Sequence, residues 1–157
     1  MKVKIRLILV LLPMLVLASP SLTAQISKSS HQVDQQTEKE VFAVLDAYMD
    51  GFNNQNMKQH FSTYHFPHYR LASGKLTILE NAGDSVKYKK GLLQSDWHHS
   101  RWDHRNIIQA SENKIHVDTR FTRYRVDGSV IATYESLYIL TKENGRWGIK
   151  MRSSFAE

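Results

Sequence analysis

Histidine is the residue type in this sequence best suited to moving protons, and six of the eight histidines lie between residues 60 and 104: His60, His65, His68, His98, His99 and His104. An imidazole gains or loses a proton near neutral pH, so a positioned histidine can act as a general acid or base. The strand register derived below predicts that His104 points inward beside Asn106 and Tyr134, either of which could orient its ring. His104 is therefore the candidate catalytic residue, and the alternative is a hydrogen-bonded histidine in a pocket wall.

Other chemistry has less support in the sequence. The spacing of His65 and His68, or of His98, His99 and His104, permits a metal site but includes no H-E-x-x-H motif, so no metal is predicted. The chain has no cysteine, and it has no G-x-S-x-G elbow, P-loop or G-x-G-x-x-G motif. We therefore predict no cofactor, and no nucleophile has sequence support.

Residues 97–105, WHHSRWDHR, combine two tryptophans with several cationic or ionisable groups. Aromatic rings and cations together suit a ligand with an aromatic or acidic portion. We expect this block to join a helix to the first strand of the main sheet beside a pocket. An interface loop explains the same residues equally well.

The first 24 residues have the order of a secretory signal peptide. Lys2, Lys4 and Arg6 precede an apolar run at residues 7–17, and small and polar residues follow to Ala24. The apolar run is shorter than the roughly 20 residues that span a bilayer. We predict a signal peptide at 1–24, a flexible leader at 25–36, a single domain at 37–157, and a periplasmic or secreted location.

The charge and cysteine content of the remaining chain limit its partners and its means of stabilisation. Removal of the three basic residues in the signal lowers the formal net charge from +6 to +3, and these charges are scattered. This balance predicts neither nucleic-acid binding nor membrane association after cleavage. Without cysteine the exported domain has no disulfides, so its stability must come from core packing.

Periodicity predicts helices followed by strands. Thr37 and Glu40 form a capping-box pattern, and apolar residues then recur at helical spacing as far as Asn53-Asn54. A second helix is predicted at 57–64 with Asn56 as its cap, and a third at 84–94. Between them, residues 68–72 and 75–80 form a predicted hairpin around Ser73-Gly74.

From Trp102 to Phe155 the pattern alternates with period two and predicts a four-strand antiparallel meander. Two-residue turns at Glu112-Asn113, Asp127-Gly128 and Asn144-Gly145 fix the pairing of the strands. One predicted face is apolar at one end and polar at the other. Burying unpaired polar groups costs about 1 to 3 kcal/mol each, so the polar end predicts a wet ligand pocket. Its predicted ligand-binding residues are Trp102, Asn106, Thr119, Arg123, Tyr134, Ser136 and Ser153.

The opposite face of the meander contains Ile107, Leu137 and Ile139 among charged residues. In the predicted register these three side chains lie side by side. An exposed apolar patch of this kind favours burial against a second copy, so we predict a homodimer.

The order of these elements resembles the nuclear transport factor 2-like superfamily, also called SnoaL-like or ketosteroid-isomerase-like. The resemblance depends on the first helix ending in Phe52-Asn53-Asn54 and on Gly145-Arg146-Trp147 after the last turn. It implies an α+β cone-shaped barrel in which a curved antiparallel sheet packs on about three N-terminal helices, usually as a dimer. It also implies that Tyr48 on the first helix points into the pocket.

The resemblance does not imply one activity, because this fold has many functions. Ketosteroid isomerases use an aspartate base, but residues 65–72, the corresponding segment, contain no carboxylate. We therefore expect an exported domain that binds a small, partly apolar ligand. The alternatives are a lyase, isomerase or cyclase that uses His104, and a protein-interaction module acting through the outer sheet face.

Overall fold

The computed structural model describes residues 33–84 and 96–156. Within these ranges two helices precede six strands, and no helix is long and apolar enough to cross a membrane. The elements are α1 (Gln35–Asn53), α2 (Met57–Ser62), β1 (Tyr64–Ala72), β2 (Lys75–Leu79), β3 (His99–Ser111), β4 (Lys114–Tyr124), β5 (Val130–Glu143) and β6 (Arg146–Ser154). The predicted third helix lies outside the described residues except for Asp84, which ends a short 3₁₀ turn.

Helix α1 starts three residues earlier than the predicted capping box implies. Asp34 is the N-cap, and its carboxylate accepts hydrogen bonds from the backbone N–H of Thr37 at 2.9 Å and from the Thr37 hydroxyl at 2.7 Å. Glu40 instead accepts a hydrogen bond from Gln36. The predicted box at Thr37 and Glu40 is therefore wrong, because an aspartate three residues before Thr37 is itself a strong cap.

The end of α1 is fixed against both α2 and the sheet. The Asn53 side chain donates to the carbonyl of Ser100 and accepts from its N–H, each at 2.9 Å. Gly51 lies so close to α2 that a Cβ atom there would be 2.6 Å from the backbone nitrogen of His60. Asn56 caps α2 as predicted, by accepting from the N–H of Gln59. These contacts position α2 and its histidine against the inner face of α1.

The six strands form one curved, unclosed sheet in the order β2-β1-β6-β5-β4-β3. The predicted hairpin and meander are confirmed, but β1 pairs in parallel with β6, so the sheet is mixed rather than antiparallel. Pro67 lies inside β1. The β1–β6 pairing is interrupted between Tyr64 and Tyr69, where a residue without an N–H is tolerated.

The core lies between α1 and the concave face of the sheet. Val41, Leu45 and Tyr48 of α1 are buried, as the helical periodicity predicts. They pack in one cluster with buried residues of β4, β5 and β6, including Ile115, Val117, Tyr138, Leu140, Trp147 and Ile149. The other end of the concave face contains the polar and aromatic residues that form the candidate site.

Candidate functional site

The central strand pair has the predicted register. Thr119 pairs with Ser136, Phe121 with Tyr134, and Arg123 with Ala132. The hydroxyl of Thr119 donates to the carbonyl of Ser136 at 3.0 Å, and that of Ser136 donates to the Ser154 hydroxyl at 2.7 Å. Thr119 and Ser136 therefore face inward as predicted, but both are buried and their hydroxyls are already paired within the protein rather than lining a wet pocket.

Two register shifts in β3 make three predicted positions wrong. The shift at Ile108 reverses the sides of residues 104–107, so His104 faces outward opposite Arg120. The shift at Asp103 reverses the side again, so Trp102 faces inward opposite Phe121. His104 Nε2 lies 3.1 Å from an Asp118 carboxylate oxygen on the outer face. Asn106 pairs with Asp118 and is exposed, so it too lies outside the predicted pocket. Ile107 points inward and packs against the core, so it does not belong to the outer patch.

A third shift, at Lys150, changes the residues that β6 presents to the interior. Leu140 pairs with Ile149 as predicted, but Ile139 pairs with Met151, and Ser136 pairs with Ser154. The predicted inward position of Ser153 is therefore wrong, and Arg152 and Ser154 point inward instead. Such bulges occur commonly where a sheet bends. No feature of the sequence marks Lys150 as the extra residue, so Arg152 was missed.

Arg152 is the central side chain of this interior region. Its Nη1 donates to the Tyr48 hydroxyl at 3.0 Å and its Nη2 to the Ser154 hydroxyl at 2.9 Å. The guanidinium carbon lies 5.3 Å from the ring centroids of both Phe121 and Tyr138, in cation–π range. Tyr48, which the sequence places in the pocket, thus lies inside and contacts the cation.

Among the described residues the positive charge of Arg152 has no acidic counterpart nearby. Within the described ranges no aspartate or glutamate forms an ion pair with Arg152 within 4.0 Å. Burial raises the pKa of the Tyr64 and Tyr138 hydroxyls well above the usual value, so both are neutral phenols. Burial opposes the charge of Arg152, but its neighbouring tyrosines outweigh that effect and raise its pKa, so the guanidinium remains protonated.

Arg123 adds a second cation to the same region. Its guanidinium carbon lies 4.9 Å from the centroid of the Tyr134 ring and 5.9 Å from that of Phe121. Burial lowers the pKa of Arg123, and Arg152 and Arg70 lower it further by charge repulsion. Arg123 and Tyr134 thus face inward, as the sequence predicts. The cation beside them, Arg152, was not predicted to lie there.

Trp102 completes the aromatic wall of this end. Its ring centroid lies 6.2 Å from that of Phe121, 5.6 Å from that of Tyr138 and 6.4 Å from that of Tyr48. The block at 97–105 is mostly β3 rather than a connecting loop. Trp97 lies outside this group and donates to the Ser100 hydroxyl.

Two buried histidines lie beneath Tyr48 and Tyr64. Burial lowers the pKa of both His60 and His68 to about 4. His60 Nδ1 lies 2.9 Å from the Tyr48 carbonyl, which can only accept, so Nε2 accepts from the Tyr64 hydroxyl at 3.1 Å. His68 stacks on Tyr64 with its ring centroid 3.9 Å away. The helical spacing of Met57, His60 and Phe61 could have identified His60 as inward-facing.

On the outer face, potential metal-binding atoms of His104, Asp118 and Glu135 all lie within 4.8 Å of one another. Arg120 lies beside them, pairs across the strands with Glu135 and donates to its carboxylate at 2.7 Å. Its guanidinium already provides positive charge at that position. We interpret the four residues as a hydrogen-bonded pair, His104 with Asp118, beside a surface ion pair, Arg120 with Glu135.

The comparisons with known proteins come from a family model, solved structures and curated proteins. The model described as "NTF2-like protein (DUF6841)" matches residues 38–153. An NTF-2 like protein of unknown function from Shewanella oneidensis has a TM-score of 0.63 and 16% identity over 76% of this chain and 98% of its own. No match was found among curated proteins.

Two further structures have similar folds. A Nostoc punctiforme protein of unknown function with a cystatin-like fold has a TM-score of 0.68 and 8% identity over 80% of this chain and 94% of its own. A ketosteroid isomerase-like protein from Erwinia carotovora has a TM-score of 0.61 and 16% identity over 78% of this chain and 97% of its own. At these identities the likeness establishes the fold and not the chemistry.

Proposed function

Because this chain belongs to the NTF2-like family DUF6841, we propose that it is an exported domain that binds a small, partly apolar molecule between the curved sheet and α1. The observation that carries this proposal is a group of buried N–H donors around Phe121. Trp102 Nε1, Arg123 Nε and Arg152 Nε each lack a hydrogen-bond partner in the described ranges, and all three side chains contact Phe121.

Unpaired donors of this kind suit a binding site better than a closed core. Each buried donor without a partner costs about 1 to 3 kcal/mol, and a ligand with acceptor atoms would remove that cost. The partial exposure of Arg152 also favours a binding site over a closed core. The residue is partly exposed rather than fully buried, as a group that a ligand can reach must be. The aromatic rings would bury the apolar part of the ligand.

A binding role is favoured over catalysis by the positions of the histidines. His104, on which the enzyme hypothesis depends, faces away from the interior and toward Asp118. His60 and His68 lie inside, but a pKa of about 4 leaves them neutral and weakly basic at neutral pH. The proposed function therefore requires no proton transfer.

Native mass spectrometry of the protein produced from the complete sequence tests both parts of the proposal. We expect a chain beginning at Gln25 with one small molecule bound, which denaturation releases. In Trp102→Phe the bound fraction should fall about three- to tenfold, because one donor to the ligand is lost. Trp147→Phe is the matched control, since Trp147 Nε1 is also buried with no partner among the described residues but belongs to the other end of the core. An equal loss in both variants, or no bound species in the parent, would contradict the binding site.

A second function, self-association, is favoured by the outer face of the sheet. Two apolar rows cross four strands there: Ile78, Tyr69, Met151 and Ile139 in one, and Leu76, Leu71, Ser153 and Leu137 in the other. Leu71, Leu76 and Ile78 are strongly exposed. The same face carries both Arg120 and Glu135, so a second copy related by a two-fold axis could present opposite charges to it. We propose a homodimer through Leu137, Ile139 and these rows.

Light scattering during size exclusion tests the dimer. We expect the parent chain to have twice the monomer mass and Ile139→Asp to shift it to the monomer, because a buried charge opposes apolar association. Val126→Asp is the control, because Val126 is 81% exposed and lies away from the rows. A monomeric parent at micromolar concentration would exclude this interface.

A further inference from the structure

We infer that the ligand carries a carboxylate group and that the guanidinium groups of Arg152 and Arg123 bind it at the Phe121 end of the interior. This inference rests on the proposed function, because it names the chemical class of molecule that the interior site takes.

Positive charge is concentrated at this end of the interior. Arg152, Arg123 and Arg70 lie close enough for Arg152 and Arg70 each to lower the pKa of Arg123. The Arg70 guanidinium also donates to the carbonyl of Ala156 at 3.3 Å, which fixes it near the end of β6. Like charges held close together in a partly buried region are unfavourable unless an anion joins them. In the described part of the chain no carboxylate pairs with Arg152 or Arg123.

The unpaired polar groups described around Phe121 are all of one chemical type. The three donors around Phe121 are N–H groups that cannot accept a hydrogen bond, so only a molecule with acceptor atoms satisfies them. Two of the three belong to guanidinium groups, whose planar arrangement of donors matches the two oxygens of a carboxylate.

The surrounding rings identify the rest of the molecule. Tyr48, Trp102, Phe121, Tyr134 and Tyr138 lie around the two cations, and the hydroxyls nearest Arg152 belong to Tyr48 and Ser154. A singly charged carboxylate on an aromatic or aliphatic body suits such walls. A phosphate dianion carries more charge and would need more polar partners than these rings offer.

The test compares acids with neutral amides of the same shape by isothermal titration calorimetry. The probes are benzoate, phenylacetate and 2-naphthoate, each paired with its primary carboxamide, and inorganic phosphate is titrated separately. The protein is first unfolded, dialysed and refolded to remove any bound molecule. We expect at least one acid to bind ten- to a hundredfold more tightly than its amide, with an affinity that weakens as salt is added.

Substitutions on one strand provide the control. Arg123→Gln should reduce the affinity for the acid at least tenfold and leave that for the amide within about twofold. Arg120→Gln removes the same charge from the outer face of β4 and should change neither. Arg152→Met provides a second variant in which the preference for the acid should disappear.

The outcomes separate this inference from the proposed function. If acids and amides bind equally and Trp102→Phe weakens both, the interior binds ligands but the carboxylate assignment is wrong. If phosphate binds more tightly than every acid, the site recognises a different anion and the inference fails. If no probe binds and no molecule co-purifies, the proposed function itself fails.

Discussion

The free energy of unfolding is expected to fall by on the order of 6 kcal/mol between pH 6.5 and pH 4, because His60 and His68 are buried in their neutral form. Burial lowers the pKa of each to about 4, from an ordinary value of 6.5. Each difference corresponds to about 3 kcal/mol, since one pKa unit is about 1.4 kcal/mol. The sum is comparable with the whole stability of a typical domain, about 5 to 15 kcal/mol.

The direction of this effect follows from proton binding. Below pH 6.5 the histidines of the unfolded chain become protonated, whereas those of the folded chain stay neutral until about pH 4. The unfolded state therefore binds more protons in this window, and acid stabilises it. The neutral histidines contribute their full stabilisation above pH 6.5. This stabilisation is lost as the pH falls to about 4, the pKa of both histidines in the folded protein. The cations Arg152 and Arg70 add to the cost of protonating His68.

Urea denaturation at pH 7, 6, 5 and 4.5 measures this dependence. The double variant His60→Gln/His68→Gln should flatten the curve, because glutamine can donate to the same carbonyls without titrating. His98→Gln, at an exposed position, should leave the curve unchanged. The histidines are not the acid-sensitive groups if the parent and the double variant lose the same stability between pH 7 and pH 5.

Much of the sheet could be predicted because its pairing depends on local turn chemistry. Asn144 and Gly145 have φ angles of 52° and 78°, as a two-residue hairpin turn requires, and Leu140 pairs with Ile149 on that basis. Pairing arithmetic remains valid only until a strand bulges. Beyond Lys150 every inward position moves by one residue, which exchanges Ser153 for Ser154 and brings Arg152 inside.

The inward-facing residues of the candidate site were predicted correctly mainly on the elements whose register is regular. Tyr48, Thr119, Arg123, Tyr134 and Ser136 lie inside, on α1 and on the regularly paired part of β4 and β5. Trp102 also lies inside, because the two shifts in β3, at Ile108 and at Asp103, cancel before the strand reaches it. Bulges depend on how the whole sheet curves over α1 rather than on local residue preferences. The sequence pattern of β3 and β6 therefore could not place His104, Asn106, Ile107 or Ser153.

Arg152→Met is expected to raise the free energy of unfolding of the ligand-free protein by about 1 to 4 kcal/mol. Even a complete buried ion pair can often be replaced by apolar side chains of similar volume with no loss or with a gain of about 1 to 4 kcal/mol, and here the charge removed has no carboxylate partner among the described residues, so its desolvation cost is relieved. The partners left behind keep other contacts, since the Ser154 hydroxyl still bonds to Ser136 and to the N–H of Ala156. Urea denaturation at pH 7.5 measures the change after any bound molecule has been removed, because a ligand would stabilise the parent alone.

The sign of this change distinguishes a ligand-binding cation from a structural one. If Arg152 served the fold, its loss would destabilise the protein, as the loss of one partner from a buried pair does, by about 3 to 5 kcal/mol. Arg120→Met on the outer face should alter stability by no more than about 1 kcal/mol, because its ion pair with Glu135 is exposed to solvent. A more stable Arg152→Met variant that no longer prefers acids would show that the arginine is retained for an anion, at a cost to the stability of the empty domain.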